Sequence, residues 1–186
     1  MPSRMADILR DMTYGVVHGR FQPLHNGHVE GLIMPASERC DFLVVGITNP
    51  SSEQTAFDAT NPHRSEPGSN PFSYWERLIM VREALIERGI PSERFAIVPF
   101  PINIPSQLLN YVPRDATFYL TIYDDWGRKK QQELEGLGLR VEVLREMSLE
   151  EKGVSGTDIR AAIKAGGSWE QYVPHAVARF IKNKNG

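Results

Sequence analysis

Ten residues, GRFQPLHNGH from Gly19 to His28, gather an arginine, a glutamine, two histidines and two glycines directly behind the apolar run YGVV. Arg20 is a permanent cation that can grip phosphate through two parallel hydrogen bonds. His25 and His28 each offer a ring N–H, and two when protonated. Gly19 and Gly27 let backbone come close to a ligand. A helix opening near Asn26–His28 would add free N–H groups and the positive end of its dipole. The grouping suits charge moving along a polyphosphate better than it suits an enzyme nucleophile. Two histidines so spaced are, taken alone, more often solvated or core residues. The adjoining arginine and glycines, placed where a strand gives way to a helix, favour phosphate binding. The chain has no Walker loop, no G-x-G-x-x-G and no H-E-x-x-H. A zinc site would need further ligands, and Cys40, His18, His63 and His175 stand at no recognisable ligand spacing.

A second stretch, VSGTDIR from Val154 to Arg160, places small and hydroxyl side chains where a helix should begin. Ser155 reads as the N-cap, with Asp158 three residues on. Ser155, Gly156 and Thr157 could hold phosphate oxygens through backbone and hydroxyl donors, with Arg160 one turn further in. The blander alternatives are a plain N-cap for Ser155 and a surface position for Arg160.

The elements that must position these groups alternate in type. Thr13–His18, Asp41–Thr48, Arg94–Phe100, Ala116–Tyr123 and Arg140–Leu144 read as five strands. Val29–Cys40, with Pro35 able to kink it, reads as a helix. So does YWERLIMVREALIERG, opened by a capping box from Ser73 to Glu76 and ended by Gly89. A polar helix from Trp126 to Leu137, one opening at Ser155, and a last one over WEQYVPHAVARFIKN complete the set. This order predicts an α/β, Rossmann-like, doubly wound parallel sheet of about five strands, with helices on both faces and a C-terminal helical segment. Ligands of such sheets lie outside the carboxyl ends of the strands, at the switch point. Residues 1–12 read as an N-terminal extension and 13–186 as a single domain. The polar stretch 49–72 is long enough to be functional or mobile; His63 and Arg64 in it either close over a ligand or are merely solvated.

Bulk properties limit the partners. A chain of 186 residues with net charge −2 shows no broad nucleic-acid surface. One cysteine gives no disulfide framework, no apolar run nears ~20 residues, and the N-terminus lacks the pattern of a signal peptide. The expectation is a cytoplasmic protein that meets neither membrane nor nucleic acid.

GRFQPLHNGH resembles the H-x-G-H signature of the nucleotidyltransferase superfamily, and VSGTDIR resembles its second element. With NPFSYWER (Asn70–Arg77) and SWEQYVPHAVARFI (Ser168–Ile181), the chain from Thr13 onward is similar to archaeal-type nicotinamide-nucleotide adenylyltransferases. The resemblance implies attack by a substrate phosphate on the α-phosphorus of a nucleoside triphosphate, with pyrophosphate leaving. It assigns Arg20, His25, His28 and Arg160 to catalysis, and Gly19, Phe21, Gln22, Gly27, Val154, Ser155, Gly156 and Thr157 to the nucleotide. It also implies Mg²⁺ held mainly by phosphates and water, with no protein metal ligands, and a homo-oligomer.

The acceptor side departs from that pattern. Archaeal-type enzymes stack nicotinamide on a tryptophan in the segment after the third strand; here Pro101–Asp115 has none, Leu108 stands in its place, and Tyr111 is the nearest ring. Trp126 could stack on a ring, and Asp124 and Asp125 could accept hydrogen bonds from an acceptor, or simply begin a helix. Arg128 falls near a family arginine that faces phosphate. The leading expectation is transfer from ATP to nicotinamide mononucleotide, in NAD biosynthesis. The alternatives are a cytidylyltransferase using CTP with a phosphonate, alcohol phosphate or sugar phosphate, and a nucleotide sensor without turnover.

Overall fold

The structure is a computed structural model and describes residues 12–51, 70–148, 150–151 and 153–185. The extension at residues 1–11, and His63 and Arg64, lie outside the described residues. Five parallel strands form one sheet in the order β3-β2-β1-β4-β5. They are β1 Tyr14–Gly19, β2 Phe42–Thr48, β3 Phe95–Phe100, β4 Thr117–Ile122 and β5 Arg140–Glu146. From β1 the chain builds outward through β2 and β3, then crosses back to lay β4 and β5 on the other side. The switch point therefore lies between β1 and β4. β1 and β2 are registered over six pairs, Tyr14–Phe42 to Gly19–Ile47. β1 and β4 are registered over two, Gly15–Thr117 and Val16–Phe118. Their carboxyl halves thus part, and a crevice opens where Gly19 leaves the sheet.

Helix α1 covers residues 26–37 in three contiguous pieces: an α-turn Asn26–His28, a π-helical stretch Val29–Ile33 and an α-turn Met34–Ser37. The widened turn alters the backbone ladder, and the Gly31 carbonyl accepts a bond from Thr121 Oγ1 of β4 at 3.2 Å. That bond ties α1 across the crevice. The helix starts three residues earlier than its apolar pattern suggests and ends before Cys40, which is buried with its thiol on Ala36 O.

Helix α2, Tyr74–Glu87, opens with the expected Ser73–Glu76 capping box. It buries Arg77, Met80, Val81, Ala84 and Leu85 on one face, and each large apolar member contributes roughly 1.5–3 kcal/mol. A short helix α3, Pro105–Leu108, follows β3; α4 is Asp125–Gly136, α5 Gly156–Lys164 and α6 His175–Asn185. The last helix is shorter than the sequence pattern suggests. Glu170–Tyr172 is a 3₁₀ turn and Val173 is extended, because the residue before Pro174 is pushed out of the α region. α6 gains its N-terminal partners from a distance: Glu87 of α2 accepts bonds from the N–H groups of His175 and Ala176 at 3.1 and 2.7 Å.

Two apolar clusters cover the sheet. Val17, Val45, Ile47 and Tyr119 pack with α1, α2, α5 and α6 on one face. Val16, Val44, Phe100 and Phe118 pack with Leu108 of α3 and Leu134 of α4 on the other. The doubly wound arrangement expected from the sequence is therefore present.

Candidate active site

The turn after β1 is built inward. Phe21 has φ of +50°. Its buried ring folds back so closely that a Cβ on Gly19 would sit 2.8 Å from it. The same ring meets His28 edge-on, with centroids 5.1 Å apart. Gln22 is buried, and its side-chain amide forms both bonds of a clamp on Phe72: Nε2 donates to the carbonyl at 2.8 Å and Oε1 accepts from the N–H at 3.0 Å. The side chains of Phe21 and Gln22 thus shape the turn, and their backbone is what faces the site.

His25 is the N-cap of α1 and its carbonyl accepts from the N–H groups of His28 and Val29 at 3.0 and 3.2 Å. The His25 and His28 rings stack at 3.7 Å. A Cβ on Gly27 would stand 3.1 Å from the His25 ring, so glycine is what lets the pair lie over the first turn. The two imidazoles stand at the N-terminal end of a helix with no acid in its first turn, the end whose dipole favours an anion.

The second motif closes on the first. Ser155 caps α5: its Oγ accepts from Asp158 N at 3.3 Å and donates to Asp158 Oδ2 at 2.6 Å. The bland reading of Ser155 therefore holds for its hydroxyl. Arg160 is no free surface residue. Its guanidinium donates to the Gln22 carbonyl at 2.6 Å and to Thr157 Oγ1 at 3.1 Å, and burial lowers its pKa from the ordinary value. A Cβ on Gly156 would lie 3.0 Å from Gln22 O, so only a residue without one lets the two backbones meet this closely. Val154 packs on the first apolar cluster. The turn at Gln22 and the start of α5 thereby meet directly, through the Arg160 bond and the close approach at Gly156.

Arg77 is the main residue that sequence reasoning missed. It is 2% exposed, and its guanidinium donates to the carbonyls of Ser73, Arg20, Thr48 and Asn49 at 3.3, 3.0, 2.7 and 2.8 Å. It pins the ends of β1 and β2 to α2. The signal for it was a charge on the apolar stripe shared with Val81 and Ala84. Burial lowers its pKa to about 10, which leaves it charged at neutral pH.

On the acceptor side, Asp124 is the N-cap of α4, accepting from Gly127 N at 2.9 Å. Asp124 thus starts the helix, and Asp125 is exposed in its first turn. Arg128 is exposed and paired with Glu146 of β5. Trp126 is partly buried, with Lys130 Nζ 5.5 Å from its ring centroid. Tyr111 is exposed on the segment after α3. Leu108 is buried in the second core cluster. Among the described residues no three of His, Cys, Asp and Glu gather to hold a metal ion, and no helix is long and apolar enough to cross a membrane.

Comparison with known proteins agrees with this geometry. Residues 16–162 match the cytidylyltransferase-like family. The chain is 50% identical to the phosphonoformate cytidylyltransferase of Streptomyces viridochromogenes, over 90% of each protein. It is 29% identical to the nicotinamide-nucleotide adenylyltransferase of Thermococcus kodakarensis, over 92% of this chain and 84% of that one. Its fold matches a putative nicotinate-nucleotide adenylyltransferase from Vibrio parahaemolyticus with a TM-score of 0.57 at 17% identity, covering 91% and 98% of the two chains. With both motifs joined beside the switch point of a five-stranded parallel sheet, the chain belongs to the cytidylyltransferase-like family and is a nucleotidyltransferase.

Proposed function

We propose that the enzyme is a cytidylyltransferase that moves CMP from CTP to a small phosphonate. The observation that carries this reading is 50% identity along nine-tenths of both chains to a phosphonoformate cytidylyltransferase. The loss of an acceptor-stacking aromatic at Leu108, now core, supports it against nicotinamide mononucleotide.

In this reaction an acceptor phosphonate oxygen attacks the α-phosphorus. The new oxygen–phosphorus bond forms as the bond to the β-phosphate oxygen breaks, and pyrophosphate carries the electrons away. The substrate is its own nucleophile, so the protein acts by holding the groups in line and stabilising charge. Arg20, His25 and His28 receive the triphosphate. The N–H groups of Gly156 and Thr157 hold its outer phosphates, and Arg160, already fixed on Gln22 O, offsets the charge of the departing pyrophosphate. The Mg²⁺ expected with the nucleotide would rest mainly on phosphate oxygens and water, as this ion usually does beside a nucleotide.

Pyrophosphate release tests the proposal, with CTP and ATP each crossed against phosphonoformate, a simple alkyl phosphonate and nicotinamide mononucleotide. Release with CTP and a phosphonate, reduced on the order of 10²-fold in kcat by His28→Ala, is the expected result. NAD formed from ATP and nicotinamide mononucleotide would replace this reading with the adenylyl one. Nucleotide binding without release from any pair would leave a sensor.

A further inference from the structure

His18 is the penultimate residue of β1, on the same face as Val16 and opposite to Val17. Its ring lies flat on Phe100 of β3, with centroids 4.6 Å apart and planes 8° apart. Two strands meet in this way because Gly46 of β2, registered with His18, has no side chain: a Cβ there would sit 2.3 Å from the Phe100 ring. The His18 Nδ1 atom is enclosed and has no hydrogen-bond partner. A buried polar atom left in this condition needs an explanation. On the same face stands Lys130 of α4, buried although it is a lysine. Its Nζ is bound to Glu133 Oε2 at 2.7 Å and lies over Trp126, which leaves the ammonium further N–H donors. Its positive charge, after burial, is the second cause that lowers the His18 pKa, to about 4. Neither residue belongs to the two nucleotide motifs. Both flank the crevice between β1 and β4, His18 at its edge and Lys130 on the helix that leaves β4. Phe100, fully buried, covers His18 from the other side, across β2.

We infer that His18 and Lys130 form a second anion subsite, which takes the carboxylate of a small two-ended acid while its phosphonate faces the α-phosphorus. The enclosed Nδ1 of His18 has no partner and the Lys130 ammonium keeps further donors, and an acid group would supply a partner to both. This inference rests on the acceptor reading above and deepens it.

Calorimetric titration of the whole protein, in the presence of a non-reacting CTP analogue, tests it with two probes. Phosphonoformate carries the carboxylate and methylphosphonate does not. The wild-type protein should bind phosphonoformate ~10- to 100-fold more tightly, the range for a hydrogen bond to a charged group. His18→Leu and Lys130→Met should bring the two probes close to parity and leave CTP affinity within about twofold, while His18→Gln and Lys130→Arg should retain part of the preference. Equal binding of the probes by the wild-type protein, which needs no variant to fold, would overturn the subsite. So would a preference that survives both Lys130→Met and His18→Leu. A preference dependent on the two residues, without pyrophosphate release from CTP, would keep the subsite and dismiss the reaction. Release with phosphonoformate alongside equal binding of the probes would do the reverse.

Discussion

Arg77→Met tests whether the site is held together from behind. The guanidinium gives the carbonyls of Arg20, Thr48 and Asn49 their bonds, at 3.0, 2.7 and 2.8 Å. Its fourth target, the Ser73 carbonyl, also accepts from the Arg77 backbone N–H at 3.1 Å and keeps a partner. Methionine fills much of the space but has no donor, so three carbonyls at the ends of β1 and β2 lose the one described here. Each buried loss costs about 1–3 kcal/mol. Against this stands the desolvation of a buried charge, whose unfavourable effect shows in the lowered pKa and which methionine removes. The net expectation is a loss of about 3–5 kcal/mol, or on the order of 10 °C in melting temperature for a chain of this size. Urea unfolding measures the first and calorimetry the second. Lys at the same position keeps a charge but not the fork, and should fall between the two proteins. Turnover should drop with Arg77→Met even at temperatures where it is fully folded, because the Arg20 backbone is no longer tied to β2. A loss below about 1 kcal/mol, with unchanged turnover, would refute the view that this residue organises the ends of the strands.

Gly46→Ala should destabilise by about 1–3 kcal/mol by driving a Cβ to 2.3 Å from the buried Phe100 ring; unfolding curves matching wild type would show that the ring has room to move. His18 makes a further contribution that depends on pH. Its folded pKa, about 4, lies below the ordinary 6.5, first because of burial and then because of Lys130. The unfolded chain therefore takes up a proton that the folded one refuses, so the stability held above pH 6.5 falls as pH drops from 6.5 toward 4, by about 3 kcal/mol. His18→Leu should flatten that part of the acid limb, and identical limbs for the two proteins would rule the contribution out.

What was legible in the sequence was local. The strands announced themselves as apolar runs, and both capping boxes could be read because Ser73 and Glu76, or Ser155 and Asp158, are three residues apart. The stacking of His25 and His28 across Gly27 was legible for the same reason, since the three lie within a single turn. The bonds that assemble these pieces were not, because their partners lie far apart in the chain. Gln22 meets Phe72 fifty residues on, and Arg160 reaches back 138 residues to Gln22. Tertiary pairing also set one helix boundary: Glu87 satisfied a helix start that sequence placed several residues too early.

The same distinction explains why the family fixes the reaction more firmly than the acceptor. The triphosphate end is made of helix N-termini and of backbones brought together by Gly156, features that need a few residue types at fixed intervals and so persist as motifs. The other end, on the proposal above, depends on single side chains from separate elements: His18 of β1 and Lys130 of α4, with Gly46 and Phe100 behind His18. No spacing links them, and each reads alone as an ordinary strand or helix residue. On that proposal, exchanging one of them changes what the crevice accepts while the nucleotide motifs stay intact, because each contributes its own charge and shape to one partner alone. Acceptor choice would then diverge among proteins that share one transfer reaction, set by buried polar side chains on the second face of the sheet rather than by the motifs on the first.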